Sequence, residues 1–170
     1  MTLDRILIAD ATWSSRLSLA NRPIWLRGPA ILLAHSGDSW FILAGLVMTY
    51  LVGDANWKSW SLRLGVVIIA LAGLVLVIKF TFRRPRPAGE WGGIYRKTDP
   101  HSFPSGHAAR SALMAVLILA WGPAWLELPL LIWAPLVSLA RVALGVHFLS
   151  DVIVGALVGI GAGLLAASIV

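Results

Sequence analysis

Residues 141–165 read RVALGVHFLSDVIVGALVGIGAGLL, and this stretch decides the fold. It closes one long apolar segment, turns at Gly145-Val146 and opens a second apolar segment. His147 and Asp151 are four residues apart, which places them on one face of a helix. The glycines at 155, 159 and 163 follow a spacing that is typical of closely packed membrane helices. The stretch predicts a helical membrane protein with polar groups at a helix entrance.

The composition of the whole chain supports a membrane environment. Of its 170 residues, 58% are hydrophobic and only 13% are charged, and the mean hydropathy is +0.82. A soluble domain carries about 25% charged residues, so the surface of this chain must face lipid. This excludes a soluble enzyme and a disordered regulator. The absence of cysteine from the sequence excludes disulfide scaffolds, thiolate catalysis and cysteine-based metal centres.

Hydrophobic runs predict an all-α, polytopic membrane bundle of five to six spans. Leu3–Leu19 is too polar to span and predicts an amphipathic helix at the interface. Arg22–Ser36 is broken by two prolines and is interpreted as interfacial or re-entrant. We expect one integral membrane domain, 1–170, with an N-terminal region, 1–35, and a polar loop, 81–103. The spanning segments are Trp40–Val52, Leu62–Phe80, Ser105–Trp121, Trp125–Leu144 and His147–Val170.

The ionisable residues at the span ends fall on one side of the membrane when the chain is traced through these segments. Such residues are functional candidates because charge is costly near hydrocarbon. Three cations among them suit a tetrahedral oxyanion, and the Pro104-Ser105-Gly106 segment opens a helix whose free N–H groups can point at an anion. Two histidines can supply one nucleophile and one acid. The converging residues are Lys79, Arg86, His107, Arg141, His147 and Asp151.

Three motifs in this set resemble the signatures of the type 2 phosphatidic acid phosphatase superfamily. Lys79 is followed after six residues by Arg86-Pro87, then come Pro104-Ser105-Gly106-His107 and Arg141 with His147 and Asp151, in order and correctly spaced. The third motif usually begins Ser-Arg, whereas Ala140 precedes Arg141 here. The resemblance implies a core like that of acid phosphatases and vanadium haloperoxidases, inside a membrane bundle.

The resemblance also implies a role for each residue. His147 would attack phosphorus and carry a phosphohistidine, Asp151 would orient it, and His107 would protonate the leaving oxygen. No metal or other cofactor is implied, because cationic side chains stabilise the charge. The phosphoryl oxygens would be held by Lys79, Arg86, Ser105, Gly106 and Arg141.

The function predicted from these residues is hydrolysis of a lipid phosphate or an isoprenyl diphosphate of the undecaprenyl type in the cell membrane. Phosphatidylglycerol-phosphate or phosphatidic acid phosphatase activity is the alternative, and a catalytically silent lipid-binding protein on the same fold is a third hypothesis. The net charge of +6 is assigned to phosphate substrate and anionic membrane lipids and not to nucleic acid. The oligomeric state and the side of the membrane that the site faces are open at this stage.

The remaining basic residues receive simpler interpretations. Arg83, Arg84, Arg96 and Lys97 are expected to face lipid headgroups, beside a membrane-dipping edge at residues 91–94. Arg110 follows His107 by three residues inside an apolar segment. Two partners are open for it: a carboxylate such as Asp38, or a second phosphate of the substrate.

Overall fold

Seven helices make up the described parts of the chain, which in this computed structural model are residues 3–19, 22–88 and 99–169. Extended backbone pairs within these ranges only at an isolated bridge between Pro85 and His101. The all-helical architecture expected from the sequence is confirmed. The helices are α1 (Leu3–Arg16), α2 (Ile24–Ser36), α3 (Ser39–Val52), α4 (Ala55–Phe82), α5 (Gly106–Trp121), α6 (Ala124–Ala143) and α7 (Leu149–Ile169).

The number of spans is smaller than predicted. Helices α4, α6 and α7 are each long and apolar enough to cross a membrane, and α2 with α3 passes the same test as one pair bent by 53°. Helix α5 is apolar but has 16 residues, fewer than the about 20 that cover a hydrocarbon core. The described residues therefore contain three to four candidate spans instead of five to six, although all five predicted apolar segments are helices.

Local sequence sets the helix boundaries beside the site. Asp54 starts α4 by accepting hydrogen bonds at Oδ1 from the N–H groups of Asn56 and Trp57, at 2.9 and 3.0 Å, so the helix begins seven residues before the predicted Leu62. It ends at Arg83, whose left-handed φ of 48° turns the chain back toward the bundle. Gly145, with φ of 67°, makes the turn after α6 that a side chain would strain.

Helix α5 lies in the centre and packs against α4, α6 and α7. The glycines of α7 allow its backbone to approach closely: a Cβ at Gly155 would lie 2.5 Å from the Ser105 carbonyl oxygen, and one at Gly159 would collide with the Ala109 carbonyl. The prediction that this glycine series serves helix packing is confirmed. The contact brings the first turns of α5 and α7 together, and the Ser105 N–H donates to the Asp151 carbonyl at 2.9 Å.

Candidate active site

A cavity of about 270 Å³ lies where α4 ends and α5 begins. One wall is polar and the other, supplied by α4, is apolar. Ala72 and Leu76 belong to this apolar wall, and both are exposed residues. The polar wall contains Lys79, Arg86, Asp99, His107, Arg110, Arg141 and His147, and the α4 wall contains Ile68, Leu71, Ala72, Val75 and Leu76. All the predicted site residues line the cavity except Ser105 and Asp151, which lie behind it.

Two cations of the polar wall share one carboxylate. Asp99 Oδ2 accepts from Lys79 Nζ at 2.6 Å and from Arg86 Nη2 at 2.8 Å. The lysine and the arginine are buried, whereas the Asp99 side chain is 40% exposed. An anion entering the cavity therefore meets cations that already hold an oxygen ligand, and it must share or displace that ligand.

His147 is fully buried between cations and Asp151. Its Nε2 lies 3.2 Å from Arg86 Nη1, so a neutral imidazole accepts there and carries its proton on Nδ1. Nδ1 faces Asp151 Oδ2 at 3.6 Å, which is longer than a hydrogen bond. Burial, together with the charges of Arg141 and Arg86, lowers the pKa of His147 well below its usual range. The lowered pKa favours the neutral form of the imidazole ring.

Backbone hydrogen bonds explain why Arg141 and His147 meet. The Arg141 carbonyl accepts from the N–H groups of Val146 and His147 at 3.1 and 3.3 Å, across the turn at Gly145. Arg141 is 1% exposed and lines the cavity beside the imidazole. The six-residue interval between these two residues is thus a structural requirement of the turn.

The entrance of α5 supplies backbone donors. Ser105 is fully buried and acts as the helix N-cap, with its Oγ accepting from the Ala108 N–H at 3.4 Å. The first backbone hydrogen bond of the helix is donated by the Ala109 N–H to the Ser105 carbonyl. The N–H groups of Gly106 and His107 come before it, at the positive end of the helix dipole, where anions bind. Gly106 lines the cavity, whereas the Ser105 hydroxyl caps the N-terminus of the helix.

His107 has a partner from a distant part of the chain. Its Nε2 lies 2.7 Å from Asp38 Oδ1, in the break between α2 and α3. Arg110 does not pair with this carboxylate; its Nη2 donates to the Gly37 carbonyl at 2.5 Å. Arg110 is buried and lines the same cavity as His107.

Comparison with known proteins agrees with this geometry. The family model described as the PAP2 superfamily matches residues 60–170. The chain belongs to the PAP2 superfamily. The chain is accordingly a lipid phosphatase, of a class that hydrolyses phosphate monoesters or diphosphates without a metal.

Individual PAP2 proteins are similar over most of the chain. The decaprenylphosphoryl-5-phosphoribose phosphatase of Mycolicibacterium smegmatis is 34% identical, over 89% of this chain and 80% of its own. The undecaprenyl-diphosphatase of Sulfolobus acidocaldarius is 30% identical, over 82% and 68%. The crystal structure of a transmembrane PAP2-type phosphatidylglycerolphosphate phosphatase from Bacillus subtilis aligns with a TM-score of 0.78 and 26% identity, over 97% of this chain and 86% of that one.

Arg84 lies behind this PAP2 site, although the sequence analysis placed it among the headgroup-facing residues. Its Nη1 donates to Asp151 Oδ1 and its Nη2 to Asp10 Oδ2 of α1, each at 2.7 Å. Ser150 joins the cluster by donating its N–H to Asp10 Oδ1 at 3.0 Å. The expectation for Arg84 was wrong because two carboxylates enclose it, whereas Arg83 is exposed as expected. Arg96, Lys97 and the 91–94 edge lie outside the described residues.

Three acidic residues at the PAP2 site were not assigned to it from the sequence: Asp10, Asp38 and Asp99. Asp10 was interpreted as one of the polar residues of the amphipathic helix predicted over Leu3–Leu19. Asp38 was considered only as a partner for Arg110. Asp99 lies in the polar loop without a helical spacing to mark it. The position of Asp99 three residues after the basic Arg96 gave no signal of its contact with Lys79, twenty residues away.

Proposed function

We propose that this PAP2 chain is a multi-pass phosphatase of the cell membrane that hydrolyses a polyprenyl diphosphate or a closely related polyprenyl phosphate. The observation that carries the proposal is the division of one cavity into a cationic end and an apolar wall. From Lys79 to Ile68 the wall follows eleven residues of α4, about 16 Å of helix. This suits a charged head joined to a long hydrocarbon chain. Residues 1–170 act together in this proposal as a single integral membrane phosphatase domain.

The proposed reaction has two balanced steps. His147 Nε2 attacks phosphorus while the bond to the leaving oxygen breaks and that oxygen takes a proton from His107. Water then attacks the phosphohistidine, gives its proton to His107, and the P–N bond breaks. Arg86, which lies 3.2 Å from Nε2, moves its donor to a phosphoryl oxygen when substrate binds. Asp151 holds the charge that forms on His147.

The remaining residues of the polar wall hold the transferred phosphoryl group. Lys79, Arg86 and Arg141 supply charged donors, and the N–H of Gly106 supplies a backbone donor at the start of α5. Ser105 contributes by fixing that helix start as its N-cap. This set stabilises the developing negative charge in a buried site, where such interactions are strongest.

The position of Arg110 favours a substrate with two phosphate groups. It lies one helical turn beyond His107 on α5, on the cavity wall, and so on the leaving-group side of the proposed acid. Both polyprenyl relatives are named for substrates that contain a second phosphate. We assign Arg110 to that group. Arg110→Gln should reduce use of a polyprenyl diphosphate more than use of the monophosphate, while the exposed Arg63→Gln changes neither.

Phosphatidylglycerol phosphate is the second candidate substrate, since the structural neighbour from Bacillus subtilis carries that activity in its name. The deciding experiment measures phosphate release by purified protein in detergent and excess EDTA. Its substrates are polyprenyl diphosphate, polyprenyl monophosphate, phosphatidylglycerol phosphate and phosphatidic acid. Fastest turnover of the polyprenyl diphosphate is expected. A preference for either glycerolipid overturns the polyprenyl proposal, and release that His147→Ala retains overturns the mechanism.

A further inference from the structure

The break between α2 and α3 delivers a carboxylate to the site. Helix α2 ends at Ser36 and α3 begins at Ser39, so Gly37 and Asp38 form the junction of the bent pair. Asp38 Oδ1 lies 2.7 Å from His107 Nε2, and the two side chains are only 17% and 15% exposed. The contact joins residues 69 positions apart.

Packing fixes the junction against α5. The Gly37 carbonyl accepts from Arg110 Nη2 at 2.5 Å, and a Cβ at Gly37 would lie 2.8 Å from Val137 Cγ1 and 3.2 Å from His107 Cδ2. A larger residue at this position would therefore push the junction away from the imidazole. The second oxygen of Asp38 is held too, because His35 Nδ1 lies 2.9 Å from Oδ2. The carboxylate is constrained at both oxygens.

A carboxylate in this position determines how His107 handles protons. It accepts from Nε2–H, which leaves Nδ1 as the nitrogen that exchanges a proton with the substrate. It also stabilises the imidazolium from which that proton departs, the role that a carboxylate has beside the histidine of a serine protease. Without it, the imidazole is free to rotate or to hold its proton on the other nitrogen.

We propose that Asp38 is the positioning residue for His107, with His35 as its outer support; this rests on the proposed function, in which His107 is the general acid. In the first step the Nδ1 proton goes to the leaving oxygen as the P–O bond breaks, and His107 remains neutral with Nε2–H on Asp38. In the second step Nδ1 takes the proton of the attacking water. Asp38 stays ionised throughout.

The test uses Asp38→Asn, which keeps the shape of the side chain and removes its charge. The value of kcat/KM reports phosphohistidine formation, the step in which the leaving group departs. For phosphatidic acid, whose leaving group is a poor one, we expect a loss of roughly 30- to 100-fold. This reaches only the lower end of the about 10²- to 10⁴-fold of general acid catalysis, because the imidazole itself remains. For p-nitrophenyl phosphate, which needs little protonation, we expect less than about threefold. Equal losses on both substrates, or none on either, overturn the proposal.

A double-mutant comparison separates positioning from a structural effect. In a His107→Ala background, Asp38→Asn should cost nothing further on phosphatidic acid, because its effect passes through the missing imidazole. If Asp38→Asn lowers kcat/KM in the His107→Ala background as much as it does in the unmodified protein, the proposal is overturned. Ser36→Ala, at the same junction but bonded to Leu33 and Trp133, is the matched control and should retain both activities.

Conservative variants guard against misfolding. Asp38→Glu retains the charge and should recover part of the activity on phosphatidic acid, while His35→Asn should give a smaller loss than Asp38→Asn. A Glu variant as poor as the Asn variant, with both proteins monodisperse in detergent, counts against a role for the charge. Failure of the proposed function is recognised separately, since His147→Ala would then retain turnover on both substrates.

Discussion

The two histidines of the site have carboxylate partners of opposite kinds. His147 and Asp151 are close in sequence, yet His147 Nδ1 and Asp151 Oδ2 are 3.6 Å apart. The carboxylate instead accepts hydrogen bonds from Arg84 and from the Phe148 N–H. His107 and Asp38 are far apart in sequence, yet they are separated by 2.7 Å. Sequence proximity therefore does not measure how tightly a catalytic pair is coupled.

The largest expected effect distinguishes the two histidines directly. His147→Ala should lower kcat by more than about 10⁴-fold on every substrate, because the nucleophile is absent whatever the leaving group is. His107→Ala should be severe on a lipid phosphomonoester and mild on p-nitrophenyl phosphate, which steady-state phosphate release measures. If the two variants responded equally to the leaving group, the proposed difference in function between the His147–Asp151 and His107–Asp38 pairs would be contradicted.

The second effect weakens only the His147 pair. Arg84→Gln leaves the fully buried Asp151 carboxylate without its cation, a change that costs about 3 kcal/mol when one partner of a buried pair is removed. We expect a lower melting temperature in detergent and a reduced kcat. Arg83→Gln is the matched control because Arg83 is the exposed neighbour, and it should change neither value. Identical behaviour of the two variants would contradict the buried role of Arg84.

A pH profile addresses the same pair through protonation. The pKa of His147 lies well below its usual range because the ring is buried among cations, and in the proposed mechanism only the neutral ring attacks phosphorus. At pH 5.5 an ordinary histidine with pKa about 6.5 would be roughly 10% neutral, whereas a larger fraction of His147 should be neutral because its pKa is lowered. The acidic limb of kcat/KM for p-nitrophenyl phosphate should therefore begin below pH 6.5. A loss of activity centred at pH 6.5 that is independent of the substrate would contradict this.

The smallest expected effect concerns Lys79 and Arg86, two cations of the cavity's polar wall. Asp99→Asn removes the carboxylate that Lys79 and Arg86 share, so vanadate should inhibit about two- to fivefold more strongly, as expected for a partly exposed ion pair. Inhibition curves with and without excess EDTA check this and should coincide, because the proposed mechanism requires no metal. Weaker vanadate inhibition of the variant would indicate that Asp99 positions the cations instead of competing for them.

The sequence predicted the parts of the site that depend on local geometry. The HxxxD spacing, the helix start at Ser105 and the turn at Gly145 each act within a few residues, so their patterns are visible along the chain. The packing of Gly155 and Gly159 against α5 was predictable for the same reason, because a four-residue repeat lies on one helical face. These local features place Gly106, Arg141 and His147, whereas Lys79 and Arg86 were placed beside them by tracing the chain through the predicted spans.

The missed features depend on how distant segments meet. Asp38 reaches His107 only because α2 and α3 are bent by 53°, and no periodicity in Arg22–Ser36 encodes that angle. Arg84 resembled a headgroup-facing charge because Asp10, its partner on α1, is 74 positions away. The span count was overestimated because hydropathy identifies Ser105–Trp121 as apolar, but the helix there has only 16 residues. Hydropathy also does not tell that α3 is long enough to span only together with α2, as one bent pair.

Ala72 and Leu76 connect the interior of the site with the outside of the bundle. Both line the cavity, and both are exposed on α4, on a helix that is long and apolar enough to cross a membrane. Two residues of the cavity wall are thus exposed residues of a candidate membrane span. Under the proposed function, this exposure allows a lipid to bring its phosphate past these two residues while its tail stays among neighbouring lipid chains, and allows the dephosphorylated lipid to leave the same way. Inorganic phosphate is then the only product that has to cross into water.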